Sequence, residues 1–119
     1  PYRAALTEML RADALLVLQA ANCNEQIPAK VYEYLRAGRP IVTLTDPAGD
    51  TAGVVRAAGL DAIARLDDVA DIIALLRPFI ASVRAGQATL PDPAHVASSS
   101  RRGRARELAA LLDAAMAAR

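Results

Sequence analysis

Two glutamates, Glu25 and Glu33, stand eight positions apart and bracket Lys30, the only lysine of a chain that carries 13 arginines. A carboxylate accepts two hydroxyl hydrogen bonds well, and unpaired backbone N–H groups at the start of a helix suit a phosphate. The neighbouring residues decide how these groups are presented. Pro28 suits the first turn of a helix, where its missing N–H would have had no partner, and Gly38 suits the left-handed position just past the end. A short helix is therefore expected between them. No Ser, Thr, Asp or Asn stands immediately before Pro28 to cap it, which leaves its first amides, with roughly +0.5 of an elementary charge, free for an anion. Pro40 then opens an apolar, β-branched run, Ile41-Val42-Thr43-Leu44-Thr45, that reads as a buried strand.

This stretch resembles the C-terminal, donor-binding half of GT-B glycosyltransferases, in particular the retaining nucleotide-sugar enzymes with a Glu-x7-Glu motif. Glu25 and Glu33 have that spacing, and Pro28 to Pro40 reads Pro-x-Lys-x-x-Glu-Tyr-Leu-x-Ala-Gly-x-Pro. The likeness continues through Pro47-Ala48-Gly49-Asp50, Val54-Val55 and Asp67-Asp68, so it covers most of the chain. Where the family usually places glycines after its first glutamate, this chain has Gln26-Ile27-Pro28.

The resemblance implies that Glu33 contacts the ribose hydroxyls of a nucleotide diphosphate sugar and that Glu25 faces the transferred sugar near its reacting carbon. Lys30, with the amides of Ala29, Lys30 and Val31, would hold the donor diphosphate. It further implies a metal-independent hexosyl transfer without a cofactor, an acceptor bound through an N-terminal domain that these residues lack, and a cytoplasmic setting. Surface polysaccharide synthesis at the inner face of a membrane fits that setting. Two other readings stand beside it: a non-catalytic Rossmann-like module that binds a nucleotide or a protein, and part of a sugar-nucleotide epimerase.

At 119 residues the chain amounts to one domain at most, with 54% hydrophobic residues to build its core. A formal net charge of +1 points neither to nucleic acid nor to an anionic membrane. One cysteine, Cys23, excludes an internal disulfide and fits a reducing compartment. No apolar run reaches the roughly 18 to 20 residues needed to cross a bilayer. The chain opens on Pro-Tyr-Arg, which reads as a fragment whose fold self-association could complete.

The elements that must position the candidate groups follow from periodicity. Tyr2 to Arg11 has the stripe of an amphipathic helix, and Ala14-Leu15-Leu16-Val17-Leu18 reads as a strand covered on both faces. A polar loop, Gln19 to Ile27, joins it to the Pro28 helix, and this strand, helix and strand make a βαβ unit. In open parallel sheets ligands bind outside the carboxyl ends of the strands, which is where that loop lies. Asp50 is expected to cap a helix ending near Ala58, and Ala62 to Leu66 is expected to form a third strand. A helix opening at Asp67-Asp68 would bury Val69, Ile72, Ile73, Leu76, Ile80 and Val83 on one face, with a bend at Pro78.

Residues 1–85 thus read as a partial Rossmann-like α/β domain, 86–100 as a loop or linker and 101–119 as an amphipathic helix bearing Leu108, Leu111, Leu112, Ala115 and Met116. His95, the only histidine, lies in the linker away from the candidate groups. The Arg101 to Arg106 cluster reads as a solvated helix start.

Overall fold

A computed structural model describes all 119 residues. After helix α1 (Tyr2–Arg11) comes strand β1 (Leu15–Leu18), then α2 (Ala29–Ala37), β2 (Ile41–Leu44), α3 (Asp50–Ala57) and β3 (Ile63–Ala64). Three more helices follow, α4 (Val69–Arg84), α5 (Pro93–Ser98) and α6 (Arg101–Ala117). The strands lie in the order β1-β2-β3 and are parallel throughout, with Leu15 opposite Ile41 and Thr43 opposite Ile63. The chain is therefore α/β, a small parallel sheet flanked by helices.

Punctuation residues account for much of this. Gly38 closes α2 at φ 66°, a left-handed conformation that glycine adopts without strain. Pro28 is the residue before the helix rather than its first member: its ψ of 133° is extended. Asp50 likewise turns out to be the first residue of α3, with Gly49 before it. Only glycine fits there easily, since a Cβ at position 49 would stand 3.1 Å from Asn24 Oδ1 and 3.3 Å from Asp46 O. α4 continues unbroken past Pro78 to Arg84, and Asp68 caps it by accepting the Asp71 amide at 3.1 Å.

The core lies on one face of the sheet. Leu15 and Val17 of β1 and Ile41 of β2 meet Val31 and Leu35 of α2, and Val55, Ala58 and Leu60 from α3 and the turn after it. Only 17 of the 119 residues are buried, so few side chains hold the fold. The opposite face is covered by α4 over β2 and β3 but not over β1, where Leu16 and Leu18 are 47% and 49% exposed. β1 is an edge strand, and the expectation of cover on both faces fails for it. On α4 the inward side chains are Ile72, Leu75, Leu76, Phe79 and Val83, all half-buried, while Val69, Ile73 and Ile80 face solvent.

The stretch read as a linker is partly helical and docked. Asp92 accepts the Ala94 amide at 3.0 Å to cap α5, its own amide donates to Ala58 O at 2.9 Å, Pro91 is buried, and Val96 packs against the core. α6 then projects away, touching chiefly α5, and gives the molecule extents of 55 × 30 × 29 Å.

Candidate functional site

All three strands point their carboxyl ends to one edge, which carries the loops 19–28 after β1, 45–49 after β2 and 65–68 after β3. The first two are tied together. Asn24 donates through Nδ2 to Asp46 Oδ2 at 2.6 Å, the Asp50 amide donates to Asn24 O at 2.9 Å, and Thr51 Oγ1 donates to Gln26 O at 3.1 Å. Asp46 also accepts the Ala48 amide on Oδ1 at 2.9 Å. That amide and, after it, the Asn24 side chain favour the charged form and hold the Asp46 carboxyl below the usual aspartate value of 3.8. Asn24 Oδ1, by contrast, is buried without a partner.

Glu25 sits between Asn24 and Gln26 with its side chain exposed and without a hydrogen-bond partner in the protein. On the β3 side, Arg65 pairs with Asp67 through two contacts of 3.1 and 3.2 Å. The Arg65 hydrogen bond lowers the Asp67 pKa and raises that of Arg65. Both side chains are well exposed, so this pair contributes little to stability.

The start of α2 has no side-chain cap. Of its first amides, that of Val31 already donates to Pro28 O at 2.9 Å, and the Val31 side chain is fully buried in the core. Val31 is thereby removed from the set of free donors. The amides of Ala29 and Lys30 have no partner in the protein. Lys30 and Glu33 are exposed and lie three residues apart on one face of α2. Neither forms an ion pair, the two in the structure being Arg65–Asp67 and Arg104–Glu107.

Lys30 and Glu33 line a cleft of about 470 Å³ between α1 and α2, with Tyr2, Leu6, Met9 and Tyr34 among its walls. Tyr2 Oη donates to Glu33 Oε1 at 3.4 Å, a long and weak bond. The structure thus brings Lys30 and Glu33 into one concavity and leaves Glu25 outside it. A second cavity, about 380 Å³ between α4 and the amino ends of β2 and β3, holds none of these residues.

Sequence reasoning missed Tyr2 and the Asn24–Asp46 contact. The Asp46-Pro47 dipeptide marks a turn, but nothing local announces that its carboxylate reaches a residue 22 positions earlier. His95 bonds only within its own segment, Nε2 to Ser99 Oγ at 3.2 Å. No group of three or more His, Cys, Asp or Glu side chains has an arrangement that could hold a metal, and no helix is long and apolar enough to cross a membrane. No known protein family, curated protein or solved structure matches the chain.

Proposed function

We propose that this chain is the donor-binding part of a retaining, metal-independent glycosyltransferase of the GT-B type, acting in the cytoplasm on a nucleotide diphosphate sugar. The observation that carries the reading is the amino end of α2. Two unpartnered amides, an unpaired ammonium and a nearly free carboxylate share the start and one face of a helix at the carboxyl edge of a parallel sheet. In this reading the Glu33 carboxylate accepts ribose hydroxyls inside the α1–α2 cleft, whose volume accommodates a nucleoside. Lys30 and the Ala29 and Lys30 amides neutralise the diphosphate, which gains charge as the anomeric carbon to oxygen bond breaks. Glu25, presented from the neighbouring loop, lies towards the transferred sugar. The acceptor belongs to a second domain, and the product is a surface polysaccharide.

Titration calorimetry of the chain with uridine, guanosine and adenosine diphosphates tests this, with uridine diphosphate expected to bind best. Glu33→Ala should weaken that binding by about 1 to 3 kcal/mol, the range for a hydrogen bond to a charged group, and leave folding intact because the residue is exposed. No binding of any of the three, or equal affinity in a folded Glu33→Ala variant, would overturn the donor site. One observation favours a nucleotide-binding module without transferase activity: Glu25 stands outside the cleft that holds Lys30 and Glu33. Uridine diphosphate binding by this chain, with no sugar transfer by the full-length protein, would support that module over the transferase, whereas transfer lost in Glu25→Ala would support the transferase.

A further inference from the structure

Residues 24–26 bury no apolar side chain, yet their backbone is pinned on both sides of Glu25. Asn24 is held from the β2 side by its side chain on Asp46 at 2.6 Å and by its carbonyl on the Asp50 amide at 2.9 Å. Gln26 is held by its carbonyl on the hydroxyl of Thr51, a residue 1% exposed. Gly49 allows the close approach, since a Cβ there would crowd Asn24 Oδ1. The β1–β2 ladder already joins the two strands over four register positions, so these bonds add nothing to strand pairing. What they fix is the path of the loop that carries an exposed carboxylate and leads directly into the free amides of α2.

We infer that Asn24 and Thr51 are positioning residues, which staple the loop after β1 to the loop after β2 and to the first turn of α3, and so hold Glu25 and the start of α2 in place for the diphosphate end of the donor. The inference rests on the donor reading above. Fixed donors stabilise developing charge without reorganising at the moment of reaction, and residues locked by hydrogen bonds behind them supply that fixity. The diphosphate, rather than the nucleoside, depends on the staple, because the loop leads to the α2 amides whereas Glu33 lies a turn further along the helix.

Two variants test it, Asn24→Ala and Thr51→Val, the latter keeping the shape of a buried side chain while removing its hydroxyl. Amide exchange followed by NMR should quicken by about tenfold across residues 22–27, the change produced by losing one ordinary hydrogen bond, with β1–β2 protection unchanged. Affinity for uridine diphosphate should fall by a similar factor, while affinity for uridine changes by less than about twofold. Wild-type exchange in the loop of a folded variant overturns the staple, and equal losses for uridine and uridine diphosphate overturn its positioning role. A wild-type chain that binds neither ligand removes the donor reading and this role with it, a result distinct from a wild type that binds and variants that bind equally well.

Discussion

β1 and β2 are close in composition, Leu-Leu-Val-Leu against Ile-Val-Thr-Leu, and opposite in surroundings. Every residue of β2 is buried, whereas β1 alternates buried and exposed. The register puts Leu16 beside Val42 and Leu18 beside Leu44 on the same face, yet α4 reaches only the β2 member of each pair. Burial on that face is set by place in the sheet and not by apolarity. The parallel ladder also alternates in its hydrogen bonds: the amides of Leu15 and Gln19 donate to Pro40 O and Leu44 O, which turns the polar backbone groups of Leu16 and Leu18 to the open edge. β1 is therefore unfinished both in its side chains and in its backbone.

The largest test of this contrast is a pair of truncations. Ile41→Ala, at a position 1% exposed, should cost about 2 to 5 kcal/mol in urea unfolding. Leu18→Ala, at a side chain 49% exposed, should cost less than about 1.5 kcal/mol. Similar costs would mean that the outer face of β1 is covered in solution, and self-association would then be the first thing to measure by light scattering.

A smaller effect separates Val17 from its register partner Thr43. The Thr43 hydroxyl is buried without a partner, so Thr43→Val should raise stability by about 1 kcal/mol, whereas Val17→Thr should lower it by about 1 to 3 kcal/mol by burying a hydroxyl in an apolar core. Loss of stability in Thr43→Val would show that the hydroxyl has found a bond.

The smallest effect lies in the loops that the two strands feed. Because Asp46 is held below its ordinary 3.8, chiefly by the Ala48 amide and then by Asn24, the folded chain binds this proton less readily than the unfolded one. Its contribution is complete above that ordinary value and is lost as the pH falls through the depressed folded value. Thermal midpoints followed from about pH 6 down to about pH 2 should decline less steeply for Asp46→Asn than for the wild type. Parallel declines would show that the carboxylate is not held by the Asn24 loop.

The βαβ unit is legible in the sequence because Pro28, Gly38 and Pro40 punctuate it and β2 is a β-branched run. The half-exposure of β1 is not, since an apolar run reads the same whether one face or two are covered. α5 hides in a stretch rich in proline and serine, although Asp92 followed by Pro93 is a helix-start pair that could have revealed it. At the site, Pro28 and Gly38 make the helix that carries Lys30 and Glu33 legible, and a separation of three residues on that helix puts both on one face. The diversion of the Val31 amide to Pro28 O depends on the local turn geometry, and the Asn24–Asp46 bond depends on how two loops meet. Neither leaves a mark in a linear pattern.

α6 has none of its 17 residues buried, and it meets the body of the protein chiefly through α5. Its internal hydrogen bonds are therefore backed mainly by the propensity of an alanine-rich helix and the Ser100 cap on the Gly103 amide, and most helical stability in proteins comes from tertiary packing, of which α6 has little. Heating should melt it ahead of the sheet. Helical ellipticity will decline over a broad range before the β1–β2 core gives way in a sharper step, so calorimetric and van't Hoff enthalpies will disagree for the whole chain and coincide only once α6 has frayed.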